Sequence, residues 1–386
     1  MQPTGILDTA KAVNPLKKLL SFGQSVWLDY IRRDLLASGE LKKLIDEDGL
    51  RGMTSNPSIF EKAIGESSFY ADTLKSLASR KDLNANGRYE ILAIRDIQDA
   101  ADILRPVYDS SKCRDGYVSL EVSPLLARQT KETLEEARRL WKAVNRENVM
   151  IKVPGTAEGI PAFQQLISEG INVNVTLLFA QEVYAKVADA YVAGVEQLAG
   201  RGGDVRKIAS VASFFISRID TLVDSIVEKR LKAASNDREK ADLQSILGKV
   251  AIANGKETYE RYQKIFSSDR WKKLAAKGAQ TQRVLWASTS TKNPNYSDVM
   301  YVDELIGPDT VNTMPPNTID AFRDHGHPRT SLTEDLEGAR RVMKTLASVG
   351  ISMKEVTDKL TEDGVKAFAD SFDKLMKAVE KSTKSA

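Results

Sequence analysis

The run Val149-Met-Ile-Lys152-Val-Pro154 carries one lysine among apolar residues. A lysine held among apolar walls has its charged form disfavoured, so a neutral nucleophilic amine becomes available near neutral pH. Such an amine forms a Schiff base with a ketone or aldehyde, and the iminium then acts as an electron sink. The alternative is a lysine that ends a strand and snorkels to solvent. Its company decides between them. Asp29, Glu121, Asn56 and Asn174 also stand at or near the ends of short apolar runs. Buried Lys, Glu and Asp are costly unless paired or functional. One of them alone would suit a structural ion pair, whereas several converging at strand ends point to chemistry.

Side-chain alternation tells which of these residues could converge. In Ile171-Asn-Val-Asn-Val-Thr176 the valines share one parity, and Asn172, Asn174 and Thr176 share the other. If the valines meet helices, the amides and the hydroxyl point inward. Likewise Glu121 and Ser123 oppose Leu120 and Val122, and Lys152 opposes Ile151 and Val153. Asp29 shares its parity with Trp27, and Ser213 and Phe215 share theirs with Val211. Further along, Arg218 opens the helix after a strand and could hold a phosphate bidentately. Ser288-Thr-Ser-Thr-Lys292 is rich in hydroxyls and ends on a cation. His325-Gly-His327-Pro328 reads as a turn rather than a metal site, and Gly248-Lys249 and Gly255-Lys256 lack the spacing of a nucleotide-binding loop.

Composition narrows the choice further. Lys+Arg 56 against Asp+Glu 53 argues against a nucleic-acid partner recruited by bulk charge. A single cysteine, Cys113, excludes an internal disulfide framework, and two histidines exclude a three-histidine metal site. No G-x-S-x-G elbow is present. Residues 1–24 lack the basic start and apolar block of a signal peptide, and no stretch approaches the roughly 20 apolar residues of a membrane span. The chain is expected to be soluble and cytoplasmic, with no membrane partner.

The elements that must position these groups alternate along the chain. Strands are expected at Ser25–Asp29, Leu50–Thr54, Tyr117–Ser123, Val149–Val153, Ile171–Thr176, Lys207–Phe214, Arg283–Ser288 and Thr310–Met314. Between them, apolar residues step by three and four, as in Tyr184, Ala188, Tyr191, Val195 and Leu198. Ser331-x-x-Glu334 and Ser352-x-x-Glu355 read as capping boxes opening two C-terminal helices, the last with a stripe of Val365, Phe368, Phe372, Leu375 and Val379. The expectation is an α/β fold: one (β/α)8 TIM barrel spanning residues 1–386. Such a barrel needs about 250 residues, so the surplus is assigned to helical insertions at about 60–115 and 228–278 and to extra C-terminal helices. Residues from about 381 to 386 are expected to form a frayed tail. A doubly wound open sheet is the alternative, but no Gly-rich fingerprint follows the first strand.

Several segments resemble those of transaldolases. Gly52-Met-Thr54-Ser-Asn56-Pro57-Ser58 and Val149-Met-Ile-Lys152-Val-Pro-Gly-Thr156-Ala-Glu-Gly159-Ile160 look like the two signature segments of that family. Glu121-Val, Asn174-Val-Thr176-Leu-Leu-Phe179 and Ser213-Phe-Phe215-Ile-Ser-Arg218-Ile-Asp220 match further motifs in the right order. The resemblance runs from about Trp27 to Met314 and is closest to the longer bacterial type, whose strand-seven segment reads Trp-Ala-Ser-Thr.

The resemblance implies a Schiff-base barrel enzyme of the non-oxidative pentose phosphate pathway, without cofactor or metal. It would move a dihydroxyacetone unit from sedoheptulose 7-phosphate to glyceraldehyde 3-phosphate, giving erythrose 4-phosphate and fructose 6-phosphate. On that template Lys152 forms the Schiff base and Asp29 handles the proton of the C4 hydroxyl. Glu121 with Thr176 holds the water of carbinolamine dehydration and hydrolysis. Asn56, Asn174 and Ser213 grip the dihydroxyacetone hydroxyls, with Thr54 among the substrate contacts and Phe215 lining the pocket. Arg218 and Ser288 bind the phosphate. Two positions depart from the common pattern: Ser123 stands where many members have Asp, and Ser290 where many have Arg, with Lys292 nearby; which of Ser290 and Lys292 replaces that Arg is left open, and phosphate binding then rests more on Arg218. Lys is a point charge and cannot reproduce a bidentate fork. Sugar phosphates are the expected partners, and a monomer or homodimer the expected assembly. The rivals are a Schiff-base aldolase that releases dihydroxyacetone and a non-catalytic sugar-phosphate-binding barrel.

Overall fold

Eight parallel strands pair in sequence order and close on themselves, β1 against β8, in a computed structural model that describes residues 14–384. They are β1 Gln24–Asp29, β2 Gly52–Thr54, β3 Tyr117–Glu121, β4 Val149–Pro154, β5 Val173–Leu178, β6 Ser210–Phe215, β7 Arg283–Ala287 and β8 Thr310–Met314. The expected (β/α)8 TIM barrel is therefore the observed fold. Boundaries shift where extended residues lie outside the ladder: Leu50 precedes β2, Ser123 follows β3, and β6 begins only at Ser210. Residues 1–13, which carry much of the signal-peptide reading, lie outside the described residues, as do 385 and 386 of the expected tail. Residues 381–384 continue the last helix.

The alternation read from the sequence sets what faces the lumen. One set of strand side chains meets the surrounding helices: Phe214 and Trp286 pack edge to face there, with ring centres 6.3 Å apart. The opposite set fills the barrel. Trp27 occupies the lumen so closely that a Cβ on Gly52 would lie 2.6 Å from its indole, so β2 must have glycine there. Below it, Arg283 forms a buried ion pair with Asp115 at 2.8 Å, while Ser25 and the Trp27 indole N–H also donate to that carboxylate. Burial pushes the Asp115 carboxyl up, but Arg283 and these hydrogen bonds outweigh it, and the net shift is downward. The lumen floor is a fully compensated polar plug.

Two long connections hold extra helices. Between β2 and β3 lie Pro57–Glu66, Ala71–Ala78 and Ala85–Ser110; between β6 and β7 lie Ser217–Ala233, Asp237–Ile246, Val250–Phe266 and Asp269–Ala275. Of the two expected capping boxes, the second is partly realised, with Ser352 Oγ accepting the Glu355 N–H at 3.3 Å. The first is not. Ser331 Oγ instead accepts the Ile306 N–H at 3.0 Å, and Asp335 caps the helix Leu336–Ser348 through the Gly338 N–H at 2.9 Å. A buried backbone donor elsewhere in the fold competed for the serine, which local spacing cannot reveal.

The C-terminal helix Met353–Lys384 does not join the outer ring. It packs on Pro57–Glu66, Ala71–Ala78, Ala85–Ser110 and Ser217–Ala233, and it touches β5, so it crosses the C-terminal mouth of the barrel. The expected stripe faces inward: Leu375 and Val379 are fully buried and Phe372 meets Tyr89 edge to face. Among the described residues no helix is long and apolar enough to cross a membrane.

Removing one partner of a buried ion pair leaves the other charge uncompensated, which costs about 3–5 kcal/mol. Asp115→Ala should therefore lower the unfolding free energy by that amount in urea melts, by stranding Arg283 in the lumen.

Candidate active site

At the C-terminal end of the strands, pairing register brings the polar lumen residues side by side. Asp29 pairs with Thr54 across β1 and β2. Glu121 pairs with Lys152 across β3 and β4, and Lys152 with Asn174 across β4 and β5. Paired residues of parallel strands project to the same side, so these groups form one belt. Above the belt opens a cavity of about 500 Å³. Asp29, Thr54, Asn56, Lys152, Thr176, Ser213, Phe215, Arg218, Ser288 and Lys292 all line it.

Glu121 and Asn174, also singled out from the sequence, stand one layer behind that lining. Glu121 Oε2 lies 3.5 Å from Lys152 Nζ, and both side chains are about nine-tenths buried or more, at 5% and 6% exposed. Asn174 donates to Ser119 Oγ at 3.1 Å and accepts from Ser213 Oγ at 2.7 Å, so it orients a hydroxyl that does reach the cavity.

The walls around Lys152 are not purely apolar, which corrects the expectation. Its Nζ donates to the Ser55 carbonyl at 3.2 Å and stands 5.7 Å from the Phe368 ring centre, with the Glu121 carboxylate on a third side. The in-register neighbour on β3 brings that carboxylate in. Glu121 Oε2 and Thr176 Oγ1 are both buried without a hydrogen-bond partner in the protein. Buried polar atoms are normally satisfied, so these two have hydrogen-bonding capacity to offer a small molecule beside the amine.

The two carboxyl groups differ in surroundings. Burial pushes Glu121 up to about 7, against the opposing pull of Lys152. Burial also raises Asp29, offset in part by Lys152, by the Thr54 hydroxyl that donates at 2.7 Å, and by Arg218 and Lys292. Thr54 in turn shares a 2.8 Å hydrogen bond with Thr313 of β8.

Asn56 sits at the start of helix Pro57–Glu66. Its side-chain carbonyl caps the Ile59 N–H at 3.0 Å, with proline at the first helical position. That fixes the side chain while committing only its oxygen. On the opposite rim, Arg218 is the second residue of helix Ser217–Ala233, and its guanidinium lies 5.4 Å from the Phe215 ring centre. Ser288 adopts a left-handed turn just after β7 and shares a 3.0 Å hydrogen bond with Ser217. Lys292 donates to Ser290 Oγ at 2.7 Å. Burial lowers Arg218, with Asp29 acting against it; burial and then the Arg218 charge lower Lys292. Two cations and two hydroxyls thus share one rim, a donor set suited to a phosphate dianion.

Some cavity residues escaped the sequence reading. Tyr30, Ser58 and Ile59 follow directly on residues that it identified. Thr313 was hidden because β8 carries polar side chains on both parities. Ala367, Phe368 and Ser371 come from the C-terminal helix, and no local signal says that this helix crosses the mouth.

The sequence profile of the family described as Transaldolase/Fructose-6-phosphate aldolase matches residues 26–379. The chain belongs to this family. A transaldolase of Trichodesmium erythraeum is 50% identical over 374 residues, covering 96% of this chain and 98% of the relative. Transaldolase 2 of a Nostoc species is 48% identical over 372 residues, covering 96% and 97%. A transaldolase of Thiobacillus denitrificans is 45% identical over 364 residues, covering 94% and 99%. The transaldolase/fructose-6-phosphate aldolase match spans every strand residue described above except the first two of β1.

Because the folded Glu121 holds its proton up to about 7 while the unfolded chain releases it near 4.5, the native state binds the extra proton between those values. Stability should therefore fall as pH rises through that window. The contribution should disappear in Glu121→Gln, measured as the difference in urea midpoint between the two proteins across pH 4 to 8.

Proposed function

We propose that this chain is a transaldolase acting through a Schiff base on Lys152, with the whole chain working as one barrel domain, as a monomer or homodimer in the cytoplasm. It transfers a dihydroxyacetone unit from sedoheptulose 7-phosphate to glyceraldehyde 3-phosphate, yielding erythrose 4-phosphate and fructose 6-phosphate in the non-oxidative pentose phosphate pathway. The observation that carries this reading is one lysine amine beside Glu121, in the same cavity as the half-buried Asp29 and the cationic rim of Arg218 and Lys292.

In this mechanism the amine of Lys152 adds to the C2 ketone and forms a carbinolamine. Glu121, which holds a proton up to about 7, protonates the carbinolamine hydroxyl, which leaves as water and gives the iminium; Glu121 and Thr176 hold that water, and their unspent hydrogen-bonding capacity supports the role. Asp29 takes the proton of the C4 hydroxyl, the C3–C4 bond breaks, and its electrons flow into the iminium to give an enamine. A carboxyl raised by burial is a stronger base than an ordinary aspartate and can return the same proton. Erythrose 4-phosphate leaves, and the enamine attacks the aldehyde of glyceraldehyde 3-phosphate while Asp29 protonates the new C4 oxygen. Water then hydrolyses the iminium and releases fructose 6-phosphate.

Asn56 and Ser213 hold the dihydroxyacetone hydroxyls, and Asn174 acts through Ser213, whose hydroxyl it already accepts. Thr54 contacts substrate from beside Asp29, and Phe215 forms the apolar wall under Arg218. Arg218, Ser288 and Lys292 bind the phosphate. Ser290, where many family members have Arg, supports Lys292 through its hydroxyl instead.

The family description also covers fructose 6-phosphate aldolases, which would release free dihydroxyacetone. Borohydride reduction in the presence of fructose 6-phosphate, followed by peptide mapping, tests both the imine and the cleavage. A reduced three-carbon adduct on Lys152 is expected, and none in Lys152→Ala, which should fold normally and lose transfer. Free dihydroxyacetone formed without an aldehyde acceptor, at the rate of transfer, would favour the aldolase. Asp29→Asn should lower kcat by about 10²–10⁴-fold while a six-carbon adduct still forms.

A further inference from the structure

Lys292 lies on the loop that joins β7 to the short helix Met300–Asp303. A lysine is a point charge on a flexible stem, so its effectiveness depends on where its backbone is held. Here it must also be held near Arg218, a like charge that disfavours it. Hydrogen bonds within the loop, such as Thr291 Oγ1 to the Ser297 carbonyl at 2.8 Å, shape the loop without attaching it to the helix that bears Arg218.

Ser288, at the start of the loop, is joined to Ser217 of that helix, Ser217–Ala233, and beyond Lys292 the attachment comes from two buried carboxylates on the same helix. Asp220 and Asp224 are one turn apart and share a face. Each accepts one backbone N–H from the start of helix Val250–Phe266 or the turn before it, and one tyrosine hydroxyl from the Lys292 side. Asp220 takes the Ala251 N–H at 2.7 Å and the Tyr301 hydroxyl at 2.9 Å. Asp224 takes the Gly248 N–H at 3.1 Å and the Tyr296 hydroxyl at 2.8 Å. The Tyr296 ring also lies on Gly248, where an added Cβ would come within 2.7 Å of it. Lys292 borders both the active-site cavity and a smaller one of about 170 Å³ lined by these carboxylates and tyrosines.

We propose that Tyr296 and Tyr301, anchored on Asp224 and Asp220, are positioning residues that lock the Lys292 loop to the Arg218 helix, so that the two cations act as one preformed phosphate clamp. The second insertion thereby serves the active site: its helix Val250–Phe266 helps to orient the carboxylates that hold the loop. The proposal rests on the reading of Arg218 and Lys292 as the phosphate end.

Tyr296→Phe removes one hydroxyl and keeps the ring on Gly248; Tyr301→Phe is the second variant should the first be unstable in thermal melts. For either variant, KM for fructose 6-phosphate and the inhibition constant of inorganic phosphate should rise on the order of 5-fold, with kcat within about two-fold, as expected for loss of one hydrogen bond to a carboxylate. Turnover of unphosphorylated fructose should be unchanged, and Tyr296→Phe should add nothing in a Lys292→Ala background. Equal losses on fructose and fructose 6-phosphate, or no change in the phosphate inhibition constant, would overturn the clamp. If Lys292→Ala weakens phosphate inhibition and the tyrosine variants do not, the clamp fails and the phosphate-end reading stands. If Lys292→Ala has no effect either, both fail.

Discussion

Closing eight parallel strands into a barrel sends every second side chain into a lumen with no bulk water, and each polar group placed there must find its partner within a few ångströms. That constraint organises the molecule from floor to mouth. At the floor, Arg283 and Asp115 satisfy one another, with Ser25 and Trp27 completing the set. One belt higher, Lys152 and Glu121 stand 3.5 Å apart, a contact too long to satisfy the carboxylate fully. At the rim, Arg218 and Lys292 face the cavity as like charges. Electrostatic compensation thus declines toward the end of the barrel where chemistry takes place.

Incomplete compensation costs stability, and the surrounding fold offsets it. Burial that raises Glu121 and Asp29 disfavours their ionised forms, and it brings Glu121, at about 7, into the range where a proton is exchanged near neutral pH. The offset comes from the apolar shell between strands and helices, where Phe163, Tyr184, Phe214 and Trp286 are fully buried. The C-terminal helix adds to it by laying Phe368 over the mouth, 5.7 Å from the Lys152 amine, which narrows the cavity.

Much of the fold was legible because strand and helix periods differ. Thr310–Met314 was read with its observed bounds, and the stripe of Tyr184, Ala188, Tyr191, Val195 and Leu198 is buried as its spacing implied. The errors fall where a distant group decides a local feature. Ser331 looked like a helix cap, but Ile306, twenty-five residues earlier, presents a buried N–H that takes its hydroxyl. The β5 run looked like a strand ending at Thr176, but it continues to Leu178 through an irregularity beside the C-terminal helix.

For the site, parity along single strands was enough to select Asp29, Glu121, Lys152, Asn174, Thr176 and Ser213, because alternation is a local property of extended backbone. Parity also predicted that these groups would point inward together. It could not say that Glu121 and Asn174 would stand behind the cavity wall while Thr313, Phe368 and Ser371 would stand in it. That depends on register between strands and on the path of a helix more than two hundred residues from Lys152. Register and path are set by packing among segments far apart in the chain, so only the closed tertiary structure determines which polar residues meet a substrate and which hold those residues in place.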